Sequence, residues 1–345
     1  MRKKSKYILY LLLMTFCIYC VEPFDPNISD SGKQFLVVDG SITEGLGPHT
    51  VKLSKSASLD ENDIAVTGAT VSFEQGNGNV VTLFETSSGI YQTSEIVGIV
   101  DESYKLRITH EGNQYESTWE TILPSHEIDS VYFEVQTRGT TDREEDLTGV
   151  QIFIDSHGSE SASKYMRYEF EETWKTGVTY SSYRDYLGDD VTVLTSDPKH
   201  TCYKYDTPTG INVSTTDGLS TNRISKHKLL FVTDVNERLT RRYSLLVKQY
   251  AIGQREYNFW KSLQDTNEEL GSLFDTQPAN IPSNIENVTN SNEVILGYFS
   301  AWGVQEYRTY VNKRDVPSRI STIPHCRSEL DTLLKADYKA ISTKI

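Results

Sequence analysis

Four cysteines in 345 residues are too few for a disulfide-built scaffold, and ten prolines with 21 glycines exclude a collagen-like or low-complexity chain. Basic charge is also scarce. The 34 Lys and Arg stand against 48 Asp and Glu, and a formal charge of −14 lacks the cationic face of a nucleic-acid binder. Beyond the first twenty residues, no apolar run approaches the roughly 20 residues of a membrane-spanning helix. Catalytic and metal signatures are missing as well. The seven histidines never form His-x-His or His-Glu-x-x-His, and neither a Gly-x-Ser-x-Gly elbow nor a phosphate-binding loop occurs. Ser161-Ala-Ser-Lys164 followed by Lys175-Thr176-Gly177 imitates a penicillin-binding pattern, but the two lie too close together and no Ser-Asp-Asn element accompanies them. Paired acids such as Glu171-Glu172 and Asp189-Asp190 read as solvated faces, because sequence adjacency does not supply the spatial gap that a glycosidase pair needs. The chain is therefore expected to be no enzyme and to need no cofactor or metal. What it has in surplus is tyrosine, 21 residues against 12 Phe and 4 Trp, a residue suited to half-exposed strands and binding surfaces.

The N-terminus carries an address. Arg2, Lys3, Lys4 and Lys6 precede an apolar run from Tyr7 to Tyr19, about 20 Å if helical, too short to cross a bilayer. This is the form of a secretory signal. Phe16, Ile18 and Tyr19 are too bulky for a small-x-small cleavage site, and Cys20 opens the polar stretch to Pro26. A cysteine at that junction resembles the lipid-bearing first residue of a bacterial lipoprotein; the alternative is an ordinary residue of the signal. Removing residues 1–19 takes away the four basic residues and moves the formal charge from −14 to −18. Export also gives the two remaining cysteines, Cys202 and Cys326, a simple expected role as a disulfide. Adding His200 and His325 suggests a zinc site, but neither His–Cys pair has structural-zinc spacing.

The organisation is read as mainly β, with residues 1–19 the signal, 20–34 a polar tether, 35–123 a β-sandwich domain and 124–345 a larger β-rich domain. Short alternating runs fill the first domain: Phe35 to Asp39, Thr50 to Ser54, Thr70 to Glu74, Val80 to Glu85, Tyr104 to Thr109 and Gln114 to Trp119. Gly76-Asn77-Gly78-Asn79 marks a hairpin. In the second, Lys164 to Thr173 sets Met166, Tyr168 and Phe170 on one face and Arg167, Glu169 and Glu171 on the other. Lys228 to Thr233 and Arg242 to Tyr250 are further strands, and Val294 to Trp302 with Arg308 to Val311 read as a last pair. A helix is predicted near 256–270, with Tyr257, Trp260 and Leu263 as a packing stripe, and a second at the C-terminus through Leu330, Leu333, Leu334 and Tyr338.

Residues 175–223 show no clean period and hold Tyr180, Tyr183, Tyr186, Tyr203 and Tyr205. Tyrosine buries large area at little rotamer cost, so this cluster is the candidate contact surface for a ligand or partner. The plain alternative is that these rings decorate an exposed loop.

Several stretches carry a family likeness: Cys20 to Phe24, Leu36 to Thr43, Gly47 to Ser54, Val66 to Val71, Ser272 to Ile281, Ser283 to Ile285, and Val294 to Phe299 with Gly297 and Tyr298. Together they resemble the exported lipoproteins of domain-of-unknown-function family 4249 in the Bacteroidota, over residues 20–327. The resemblance implies outer-membrane residence through a lipid at Cys20, often beside a TonB-dependent β-barrel transporter. It supplies no catalytic residues. The expected fold is an Ig-like or carboxypeptidase-regulatory-like β-sandwich followed by a larger antiparallel β domain with one or two helices. The expected function is a non-enzymatic accessory or binding subunit at the cell surface, partnered by such a barrel; the alternative is a stand-alone glycan- or peptide-binding lipoprotein.

Overall fold

The structure, a computed structural model, describes residues 34–56, 63–139, 146–182, 184–187, 190–193, 199–233, 237–269 and 283–317. It is mainly β with one α-helix, Gln254–Glu269, among the described residues. Cys20 and the tether, Cys326 and the C-terminal stretch with Leu330 to Tyr338 lie outside the described residues.

The first core forms because alternating strands turn one face inward from two sides. Leu36, Val38 and Ile42 of the strand Leu36–Thr43, with Val51 and Leu53 of Thr50–Lys55, face Val71, Phe73, Leu106 and Ile108 of Thr70–Gln75 and Ser103–His110. All nine are at most 5% exposed, so each contributes about 1.5–3 kcal/mol of transfer free energy. The strand Val80–Ser87 pairs with both Thr70–Gln75 and Ile90–Gln92 and so turns the sheet from one layer to the other. Its register slips between Glu85 and Ser87, and the Glu85 carboxylate accepts the Gly68 and Gly89 amides at this corner. The hairpin predicted at residues 76–79 connects Thr70–Gln75 to Val80–Ser87.

The second core lies between two sheets. Tyr165–Ser182, Arg242–Ile252 and Ile295–Asn312 pair antiparallel, and the three-stranded sheet Glu127–Arg138, Leu147–His157 and Arg223–Thr233 contributes the facing side chains. Met166, Tyr168 and Phe170 point into this core, as their spacing predicts, with Val150, Ile152, Ile154, Leu245 and Val247.

One strand joins the two cores. Ile295–Asn312 runs 18 residues, where the sequence pattern suggests two separate strands. Its first part pairs in parallel with Leu36–Thr43 and buries Ile295 and Phe299 in the first core. Its second part pairs with Arg242–Ile252 and buries Val311 in the other. Gln305 and Glu306, which fall between the two expected strands, continue the strand as exposed residues. Gly303 marks the crossing: a Cβ there would lie 2.1 Å from the Leu123 carbonyl oxygen. His126, which is fully buried, fastens the chain between the two regions. Its Nε2 lies 2.9 Å from both the Ser163 carbonyl and Asn222 Oδ1, and its own carbonyl accepts from Gln249 Nε2. Burial lowers its pKa.

Candidate functional site

Of the five tyrosines singled out by sequence, Tyr203 and Tyr205 have described side chains, 71% and 83% exposed. The side chains of Tyr180, Tyr183 and Tyr186 lie outside the described residues. Tyr203 and Tyr205 sit two apart on Lys199–Asp206, the last strand of the large sheet, so they share a face. Tyr203 is opposite Lys175 and Tyr205 opposite Thr173. The rows continue to Arg242 and Ser244, then to Asn312 and Tyr310. Register thus brings Tyr310, 44% exposed, and Arg242 onto the same open face as the two tyrosines. Arg242 stacks 4.3 Å above the Tyr310 ring, and Arg308 Nη1 donates to Ser244 Oγ at 2.9 Å. Lys175, Arg242 and Arg308 make this end of the face cationic within an acidic chain.

The underside of the same edge is held by charges. Glu172, expected with Glu171 on a solvated face, is instead buried because successive strand residues face opposite sides. It accepts from Tyr243 Oη at 2.6 Å and pairs with Arg238 at 3.0 Å, and Arg238 also reaches Asp206 at 2.8 Å. Lys204 and Thr176 both bond to Glu237. Cys202, opposite Thr176, is exposed on this edge strand; its expected partner Cys326 lies outside the described residues.

At the other end the face is covered by the helix Gln254–Glu269. Tyr257 and Trp260 pack on Tyr250, Ile252, Trp302 and Val304, which is the packing role their helical spacing predicts. Glu256, 1% exposed, is buried beneath. Its Oε1 accepts from Ser300 Oγ at 2.8 Å, Trp302 Nε1 at 2.8 Å and Trp260 Nε1 at 3.1 Å. Desolvation outweighs those three donors and the nearby Arg167, and pushes the Glu256 pKa up to about 7. Arg167 stacks 4.0 Å from the Trp260 ring and bonds Glu169 at 2.7 Å, while Tyr250 Oη donates to the other oxygen of Glu169 at 3.0 Å. A cleft of about 350 Å³ lies here, lined by Arg167, Glu169, Glu171, Lys248 and Trp260 and closed by residues 207–211. Nothing in the sequence flags Glu256, because its three donors come from helical spacing and a distant strand.

A second cleft, about 450 Å³, lies along another side of the helix, lined among others by Arg255, Asn258, Phe259, Ser262 and Tyr298. Behind it Glu120 accepts from Thr118 Oγ1 at 2.7 Å and Asn284 Nδ2 at 3.0 Å. Asn284 is itself fixed by the Phe299 backbone, donating to its carbonyl at 2.8 Å and accepting its amide at 2.9 Å. Burial raises the Glu120 pKa, and burial beside Glu120 raises that of Tyr298.

Elsewhere, the Ser161 and Lys164 pair does not assemble with Lys175: Ser161 Oγ lies 3.0 Å from Ser159 Oγ, and Lys164 pairs with Asp217 at 3.7 Å. Among the described residues no group of three His, Cys, Asp or Glu side chains is arranged to hold a metal ion.

The fold and faces define a mainly β protein with an open aromatic–cationic sheet surface and two clefts flanking one helix. The chain belongs to the DUF4249 family, a domain of unknown function, whose pattern matches residues 21–308. No curated protein matches it. Among solved structures, a DUF4785 family protein from Legionella pneumophila is similar over 62% of this chain and 51% of its own, with 11% identity and a TM-score of 0.18. The match spans about half of that protein, and at that TM-score it carries no argument.

Proposed function

We propose that this chain is an exported, lipid-anchored binding subunit without bond chemistry of its own, which docks on an outer-membrane β-barrel through the open face of its large sheet. One observation carries the reading: Tyr203, Tyr205 and Tyr310 stand exposed on one face with Lys175 and Arg242. Exposed aromatics beside unburied cations are the composition of an interface centre, where Tyr and Arg are enriched. The barrel as occupant follows from the family likeness, and attachment through a lipid at Cys20 from the basic leader and the polar stretch behind it. A body of −18 after cleavage is repelled by anionic head groups, which leaves the lipid and the partner as the means of holding the membrane.

The test is affinity purification of the tagged full chain from its own membranes, with partners identified by mass spectrometry. A TonB-dependent barrel is expected to co-purify, and Tyr203→Ala with Tyr205→Ala to reduce its yield by about tenfold or more, since interface tyrosines at hot spots are each worth about 1–2 kcal/mol or more. A preparation free of any barrel would overturn the reading. Palmitate labelling that persists in Cys20→Ser would overturn the anchor alone.

A further inference from the structure

We propose that the 450 Å³ cleft beside the helix binds a single neutral saccharide ring. The proposal does not depend on barrel docking, because the cleft and the tyrosine face use different residues.

The argument begins with the helix period. Arg255, Asn258 and Ser262 are spaced three and four apart, so they form one stripe along Gln254–Glu269, with Phe259 beside them. Arg255 and Asn258 are exposed and make no hydrogen bond or ion pair among the described residues. This stripe faces a wall built on Thr118, Asn284 and Tyr298. The wall is rigid: Asn284 is held by both backbone groups of Phe299, and Thr118 and Asn284 meet at one oxygen of Glu120. Phe259 and Tyr298 form the apolar part, their ring centroids 4.9 Å apart. Unengaged donors and acceptors on one side and aromatic carbon on the other, in a space of small-molecule size, make a ligand cleft.

Charge selects the ligand. Arg255 would suit a carboxylate or phosphate if it stood alone. The Arg255 charge acts on the Glu120 carboxylate, and the same carboxylate raises the Tyr298 pKa. A guanidinium with a carboxylate behind it holds an anion less strongly than one standing alone, while it keeps its directed donors. That favours a ligand rich in neutral acceptors. A hexopyranose has hydroxyls that both donate and accept, for Arg255, Asn258 and Ser262, and a C–H face for Phe259. The Val294 to Phe299 and Ser283 to Ile285 stretches, read in the sequence as family signatures, supply Tyr298 and Asn284 to this wall.

The experiment is saturation-transfer NMR on the purified full chain in detergent, without any barrel. The probes are methyl α-D-glucopyranoside, methyl β-D-galactopyranoside and methyl α-D-mannopyranoside at about 10 mM, which suits a millimolar one-ring site, with sodium acetate as the anionic competitor. At least one glycoside is expected to receive saturation, concentrated on the ring protons of one face. Arg255→Gln and Asn258→Ala each reduce the signal at least about fivefold, a loss of roughly 1 kcal/mol or more. Both positions are exposed, so the variants keep the parent's melting temperature. Tyr205→Ala leaves the signal unchanged, which separates this site from the docking face. No transfer to any of the three glycosides overturns the proposal. So does transfer that survives both cleft variants, or transfer that acetate abolishes.

Discussion

Replacing Glu256 by Gln changes one atom of a buried carboxyl and removes its titration. Three donors converge on Oε1, from Ser300, Trp302 and Trp260, and Gln presents the same carbonyl oxygen to them. The structure therefore survives the substitution while the pH dependence does not. The folded-state pKa of about 7 stands above the unfolded value of 4.5, so the folded protein keeps a proton that the unfolded chain releases. The stabilisation from that proton is complete below pH 4.5, falls as pH rises through the window, and is gone above about 7. At about 1.4 kcal/mol per unit, the loss amounts to about 3 kcal/mol. Other buried acids and histidines titrate equally in both proteins, so the difference between parent and variant isolates this group. Urea denaturation of both, at steps from pH 4.5 to 8, measures it. The variant should gain about 3 kcal/mol relative to the parent across that range. Curves that stay parallel would mean that Glu256 is ionised at ordinary pH and that its three donors and Arg167 outweigh burial.

Two further perturbations probe the fold. Burial holds the His227 pKa down at about 4, against 6.5 when unfolded, so the unfolded chain takes up the proton first as pH falls. Stability is full above pH 6.5 and declines towards pH 4 by about 3 kcal/mol in all; an NMR titration of the His227 ring with a midpoint near 6.5 would contradict this. Gly297 has φ +93°, and a Cβ there would lie 2.0 Å from the Val38 carbonyl oxygen in the parallel pairing of the two strands. Gly297→Ala should cost about 3 kcal/mol or more and show as a lowered melting temperature, whereas an unchanged one would refute that close approach.

Local periodicity carried much of the fold. The face assignment of Met166, Tyr168 and Phe170 against Arg167, Glu169 and Glu171 needs only a period of two, and the Tyr257 and Trp260 stripe only 3.6. What stays hidden in sequence is pairing between distant strands. The parallel match of Leu36–Thr43 with Ile295–Trp302 spans about 260 positions, and nothing local announces it. The same holds for the site. Tyr203 and Tyr205 stand out by composition, but Tyr310 and Arg242 join them only through register. Glu256, Arg167 and Trp302 come from a helix and two strands, and no spacing rule links them. Gly303 and the polar residues after it suggest a break because their environment, a crossing point and then an exposed stretch of strand, is set by tertiary contacts.

The docking claim is tested most directly by placing a photo-crosslinking amino acid at position 205 and, as a control, at position 84, where Phe84 is 63% exposed on the N-terminal part of the sheet. Illumination of intact cells followed by mass spectrometry of the adducts reads out the neighbour. A TonB-dependent barrel captured from position 205 and absent from position 84 is the predicted result. Capture from position 84 alone, or a barrel in neither, would contradict the claim.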